Sequence, residues 1–204
     1  MYIPKIYALE NLEEILEFIK KYSFCTLVNQ NHEKIWATHI PLLLEKTNEQ
    51  LLLHGHISKL NEQGKLFESN PSVLAIFTGP HSYISPSWYD HENVPTWNYT
   101  AVHVYGTLTV LSYEETLVSL QKMMNHYESE AQSSIRFENL SKKVQQEAKG
   151  VLAFTIAIED IQAVKKLSQN RDDKNYNHII TKLEQSQNNQ AQEIALEMKN
   201  NRKL

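Results

Sequence analysis

Apolar and polar positions alternate with two distinct periods along the chain. Leu9, Leu12, Ile15, Leu16 and Ile19 recur at helical spacing, which predicts an amphipathic helix over residues 9–21 with Asn11 as a candidate cap. Phe24–Val28, Ile35–Leu44 and Leu51–Ile57 read as short strands joined by the polar turns 30–34 and 45–50. Pro41 interrupts the second of these, which predicts an edge or a bulge there. A short helix is predicted over 60–69, ended by Asn70-Pro71, and a fully apolar strand over Val73–Phe77. Residues 79–89, with two prolines and three aromatics, read as a loop. From Trp97 to Val110 the pattern has period two: Val102, Val104, Gly106, Leu108 and Val110 face one way, and Ala101, His103, Tyr105, Thr107 and Thr109 the other. A helix over 113–130, a strand over 150–158 and two helical patterns, 176–183 and 191–198, complete the chain.

About six strands with helices before, between and after them predict a β-rich α+β fold, a small barrel with helical decorations. A doubly wound fold fits poorly, because the first three strands are joined by turns too short for crossover helices. The 204 residues suffice for one domain with a helical appendage. We place the boundary at 170, with residues 1–170 as the domain and 171–204 as a C-terminal extension.

Charge narrows the function classes. The formal net charge is −4, which argues against sequence-independent nucleic-acid binding. The segment from Arg171 onward carries six Lys/Arg against five Asp/Glu, so no basic recognition tail is present. Cys25 is the single cysteine, placed in an apolar strand as a core thiol, which excludes an intrachain disulfide. No signal peptide and no transmembrane stretch are expected, and a reducing cytoplasm is the expected location.

Candidate chemistry gathers in four places. His54-Gly55-His56 sets two imidazoles on one face of a strand, and with His39 they could bind a metal or simply hydrogen-bond backbone or an anion. Nine histidines are present, and six of them lie between residues 39 and 103, which fits a ligand groove better than a metal centre; no metal is assigned. Ser58-Lys59 precedes the predicted helix, where a hydroxyl, an ammonium and helix N–H groups could cradle a phosphate. Tyr83, Trp88, Tyr89, Trp97 and Tyr99 form a stiff aromatic stretch that either stacks on a flat ligand or a partner subunit or merely folds over the barrel. The run 165–171 is cationic and polar. Gly-x-Gly-x-x-Gly, Walker and Gly-x-Ser-x-Gly motifs are absent, and no catalytic residue stands out.

Four runs carry a resemblance: Ala37-Thr38-His39-Ile40-Pro41-Leu42-Leu43-Leu44, Gly79-Pro80-His81-Ser82-Tyr83-Ile84-Ser85-Pro86-Ser87-Trp88-Tyr89, Val94-Pro95-Thr96-Trp97-Asn98-Tyr99 and Lys166-Leu167-Ser168-Gln169-Asn170-Arg171. In this order they resemble the PaiB-like family of FMN-binding negative transcriptional regulators of bacterial protease production and sporulation. Lys165 stands where members of that family often carry an aromatic or other apolar residue. The resemblance implies a six-stranded antiparallel FMN-binding split barrel, acting as a homodimer with FMN in a groove at the subunit interface. It implies phosphate contacts from Gly55, His56, Ser58 and Lys59, and a ring lined by Thr38, His39 and Ile40. It further implies closure by Tyr83, Ser85, Trp97 and Tyr99, and an approach by Lys166, Gln169 and Arg171. The charge balance makes direct repression through DNA contact doubtful, so an indirect transcriptional effect is expected. The competing readings are a flavin-dependent oxidoreductase, of the flavin reductase or pyridoxamine-phosphate-oxidase kind, and a haem-binding or haem-degrading protein.

Overall fold

The computed structural model describes residues 1–31, 34–47 and 50–202. The tips of the two predicted polar turns, His32-Glu33 and Asn48-Glu49, lie outside the described residues, as do Lys203 and Leu204. Seven strands form one sheet: β1 (Phe24–Gln30), β2 (Ile35–Pro41), β3 (Leu43–Lys46), β4 (Leu51–Ser58), β5 (Ser72–Ile84), β6 (Thr96–Val110) and β7 (Val151–Lys166). Their order is β2-β1-β5-β6-β7-β4-β3. The pairings β1–β2, β1–β5, β3–β4 and β4–β7 are antiparallel. The helices are α1 (Leu12–Lys21), α2 (Tyr113–Glu130), α3 (Lys142–Gln145), α4 (Asp173–Glu184) and α5 (Asn189–Asn201).

Contacts divide the chain into two compact units. One comprises Met1–Phe18, Thr78–His103 and the chain from Gln162 onward; the other comprises Ile19–Phe77 and Val104–Ile161. The second is the barrel unit. Its strands β2 and β3 end the sheet order at opposite edges, yet only Leu42 separates them. One intervening residue spans at most about 7 Å, so the two edges must meet and the sheet closes on itself. The predicted second strand is therefore two, bent after Pro41, where the missing N–H suits the end of pairing with β1. Leu42 is itself buried, and its N–H donates to the Ser23 carbonyl at 3.0 Å. Counted around the barrel, the bent β2–β3 pair is one of six staves, which reconciles seven strands with the expected six.

The barrel core follows from alternation. Leu27, Ile40, Leu53, Ile57, Val73, Ala75, Phe77, Val104, Leu108, Phe154 and Ile156 are buried. A capping box starts α2: Ser112 accepts from the Glu115 N–H while the Glu115 carboxylate accepts from the Ser112 N–H.

The other unit is built on the outer parts of β5, β6 and β7 and on the hairpin α4–α5. Tyr176, Ile179, Ile180, Leu183, Ala191, Ile194, Ala195 and Met198 bury the hairpin's apolar faces together with Ile84, Tyr89 and Leu167. The Tyr176 hydroxyl donates to the Met198 carbonyl at 2.7 Å, which satisfies the one polar atom on a fully buried ring. At the N-terminus, Asn11 caps α1 by accepting from the Glu14 N–H at 3.0 Å. The helix begins at Leu12 rather than Leu9, because the Leu9 N–H donates to the Ala163 carbonyl of β7 at 3.1 Å.

Three other expectations change. The stretch 79–84 is not loop but the second half of β5; its glycine and proline content masked a strand whose buried positions, alternating from Val73, change phase at Gly79-Pro80. The predicted helix over 60–69 is a single 3-10 turn, Glu62–Leu66. The last strand runs on to Lys166, so Lys165 and Lys166 belong to β7 and not to the segment after it. Among the described residues, no helix is long and apolar enough to cross a membrane.

Candidate functional site

The fourteen residues expected to hold the cofactor fall evenly into the two units. In the barrel unit, β4 carries His54, His56 and Ser58 on one face by its period of two. The Nδ1 atom of His56 is buried and bonds nothing among the described residues. Burial lowers the pKa of that imidazole, which keeps it neutral at pH 7. Lys59 is exposed, and no ion pair engages its ammonium among the described residues. The backbone of this turn is already committed. The N–H of Lys59 donates to Gly150, that of Leu60 to the Ser58 hydroxyl, those of Asn61 and Gly64 to Ser58 and Asn61 carbonyls, and that of Gln63 to the Asn61 side chain. The expected cradle of helix N–H groups is therefore reduced to the N–H of Glu62 among the described residues. What remains for an anion among the side chains is the Lys59 ammonium, the Ser58 hydroxyl proton and the orphaned His56 nitrogen. That donor set fits a phosphate, since a charged donor and two neutral ones can meet its oxygens. Gly55 offers backbone only: the space a side chain would take is filled by Leu42 and Phe154.

On β2, Thr38 and Ile40 share one face and His39 lies on the other. The His39 ring stands 3.0 Å (Nδ1) from the Thr26 hydroxyl and stacks on Phe24 at 6.4 Å between centroids. Thr38 is part of a buried polar network absent from the sequence-based set. Its hydroxyl donates to Gln63 Oε1 and accepts from Asn61 Nδ2 at 3.0 Å. Gln63, fully buried, donates onward to the Leu27 carbonyl at 3.2 Å and to Asn29 Oδ1 at 3.1 Å. The Asn29 Nδ2 is left buried without a partner. No periodicity marks a buried glutamine in a polar turn, so no sequence signal could have found it.

The three histidines considered for a metal are not gathered as ligands. His54 Nε2 is 2.6 Å from Glu45 Oε2, and Lys122 Nζ donates to both Glu45 oxygens at 2.7 and 2.9 Å. The hydrogen bond from Lys122, more than any other influence, lowers the pKa of Glu45. Among the described residues no three His, Cys, Asp or Glu side chains converge as a metal site.

In the other unit, the Tyr83 and Trp97 rings meet edge to face at 5.9 Å, and His81 lies 6.2 Å from Trp97. Tyr83 and Trp97 are 44% and 53% exposed, which leaves two large aromatic faces open. Tyr99 is half-buried. Ser85 is structural: it caps the turn Pro86–Trp88, accepting from the Ser87 N–H at 3.2 Å. Gln169 spends both ends of its amide on backbone, accepting from the Leu167 N–H and donating to the Lys165 carbonyl. It thereby holds the turn in which Ser168 adopts a left-handed φ of 62°. Lys166 donates to the Thr96 hydroxyl at 2.5 Å, and its pKa is lowered by burial and then by the charge of Arg171. The Arg171 guanidinium sits 4.9 Å above the Tyr89 ring. Two cations influence each other here, which suits an anionic or electron-rich ligand.

A closed barrel with a bent stave and helical additions is the split-barrel fold of flavin proteins. Two solved structures share it: the flavocytochrome Anf3 from Azotobacter vinelandii, with a TM-score of 0.61 at 14% identity over 86% of this chain and 78% of that one, and the FAD and heme binding protein from Mycobacterium smegmatis, with a TM-score of 0.59 at 13% identity over 78% and 73%. Residues 1–160 match the model of the "Putative FMN-binding domain" family, and the chain belongs to that family. FMN is the cofactor that this membership assigns to it. Along its whole length the chain is similar to the protease synthase and sporulation protein PAI 2 of Bacillus subtilis, 42% identical over 196 residues, covering 96% of this chain and 95% of that protein.

Proposed function

We propose that this chain is an FMN-binding regulator of protease production and sporulation that acts on transcription indirectly, as a cytoplasmic homodimer. The observation that carries the reading is the 42% identity to the Bacillus subtilis protein across nearly the full length of both chains. Residues 1–170 would form the binding domain and 171–204 an extension packed on it or on the second subunit. FMN, when bound, supplies reversible electron transfer. Lys59, Ser58 and His56 would bind its phosphate, Thr38 and Ile40 would lie along the ring, and Tyr83, Trp97, Lys166 and Arg171 would close the site, some of them from the second subunit. Gln63 would act through Thr38, by orienting its hydroxyl. Repression without direct DNA contact is supported by the net charge of −4, which opposes phosphate-backbone binding.

The test is an absorption titration of the purified chain with FMN and with riboflavin. Lys59→Ala should weaken FMN roughly tenfold more than riboflavin, the size of one charge-assisted contact. Equal weakening of both would refute the phosphate role. In a gel shift at physiological salt, no tight promoter-specific complex is expected from the purified protein; such a complex would overturn indirect action.

A further inference from the structure

A cavity of about 320 Å³ opens in the unit that carries the hairpin. One wall is aromatic: His81 and Tyr83 from β5, Trp88 from the following turn and Trp97 from β6. The opposite wall comes from the connection between α4 and α5 and the first turn of α5, chiefly Asn188 and Gln190. These two residues lie beyond the stretch 1–160 that the family model covers. Its volume is within the range of small-molecule sites, about 300–1,000 Å³.

The polar wall is set up to donate. Gln190 Oε1 accepts from the His81 backbone N–H at 3.2 Å, which fixes which end of the amide is free. Asn188 Oδ1 accepts from the Gln190 N–H at 2.9 Å as the cap of α5. Both side-chain NH₂ groups then have no partner among the described residues. Among the described residues, no Lys, Arg, Asp or Glu lines the cavity. A phosphate or carboxylate would find no counter-charge there, whereas a flat neutral ring would find aromatic faces and two donors for acceptors on its edge.

We propose that this cavity binds a flat, uncharged heteroaromatic ring with carbonyl or ring-nitrogen acceptors on its edge. Asn188 and Gln190 are the residues that recognise that edge, which gives the C-terminal hairpin a role in ligand selection. FMN is already the assigned cofactor, so the ligand inferred here is a second small molecule, an inference that rests on the reading that Tyr83 and Trp97 close the flavin site.

The experiment titrates the full chain with lumichrome and, separately, with nicotinamide in the presence of FMN, following indole fluorescence. Saturable quenching by lumichrome, with none by nicotinamide when FMN is present, overturns the proposal, since the cavity would then be the flavin site itself. Saturable quenching by nicotinamide with FMN present assigns it to a second ligand. That result supports the proposal if Gln190→Ala and Asn188→Ser each weaken nicotinamide binding about fivefold, the size of one neutral hydrogen bond. Asn188→Ser retains a capping side chain, so α5 should stay intact. Trp36→Phe, in the barrel unit, should leave the quenching in place. Quenching that does not saturate with either probe overturns the proposal, as does binding unchanged in both variants. It is also overturned if Trp97→Leu alters the sedimentation mass while no ring binds, since the aromatic face would then belong to a second copy of the chain. Neither probe carries a phosphate, so failure of the Lys59 assignment leaves this test intact.

Discussion

Nε2 of His54 lies 2.6 Å from Oε2 of Glu45, and Lys122 grips both oxygens of the same carboxylate. This ties β3, β4 and α2 together within the barrel unit. The Glu45 pKa is lowered, so its contribution to stability is fully present above the unfolded carboxylate value and is lost as pH falls through the folded one. His56 acts in the same direction: burial lowers its pKa, and its contribution fades as pH drops below the unfolded histidine value. The midpoint of thermal unfolding should therefore fall in two stages on acidification, first below about pH 6.5 and then below about pH 4.5. His56→Gln should shrink the first stage, leaving the part due to His103, whose pKa burial also lowers, and Glu45→Gln should shrink the second, to which Glu115, Glu138 and Asp172 also contribute.

Gln63 holds Thr38, the Leu27 carbonyl and Asn29 from a fully buried position. Gln63→Leu strands these groups, and a buried polar group left unmade costs about 1–3 kcal/mol. Urea unfolding should show a loss of that order or more. FMN affinity should fall as well, because the Thr38 hydroxyl loses its orienting partner; an unchanged affinity would separate Thr38 from the ring.

Gly106 lies in β6 with no room for a side chain. A Cβ there would sit 2.2 Å from the Ala157 carbonyl oxygen and 2.8 Å from Ile156. Relief requires β7 backbone to move, so Gly106→Ala should destabilise the barrel by roughly 3 kcal/mol or more, measured by denaturant midpoint at constant slope.

The thiol of Cys25 is 2% exposed, and burial pushes its pKa up to about 12. A thiol in that state does not attack. Ellman's reagent should label the native protein only at the rate of unfolding, and rapid labelling in 6 M guanidinium should account for one thiol per chain.

Lys165 is largely enclosed between Glu14 and Glu197, the latter at 2.8 Å. Burial draws its pKa down, but the two carboxylates outweigh it and the net shift is upward. Lys165→Met leaves two carboxylates facing each other, and a loss of about 2 kcal/mol is expected, discounted for the partial exposure of Glu14. Added salt should reduce that loss.

The alternation over residues 97–110, the apolar stripe of α1, the capping residue Asn11 and the two terminal helices are all local, and each was legible because hydrophobic period and cap chemistry act within a few residues. The four motif runs pointed to the family because they survive as linear sequence. Asn188 and Gln190 were visible only as part of an Asn- and Gln-rich tail, and their place opposite Tyr83 and Trp97 depends on a contact between residues about a hundred positions apart. At Ser58-Lys59 most backbone donors are consumed by a 3-10 turn, the Ser58 hydroxyl and the Gly150 carbonyl, which no local pattern announces.

By itself, the sequence determined the class: a β-rich chain of ordinary composition and acidic balance, with the motifs of an FMN-binding family. Tertiary structure alone decided that one strand breaks at Leu42 to close the barrel, that His54 meets Glu45, and that Gln63 sits in the core. Local propensity acts over a turn or a strand, whereas burial and hydrogen-bond satisfaction are settled by partners distant in sequence, and those partners exist only once the chain has folded.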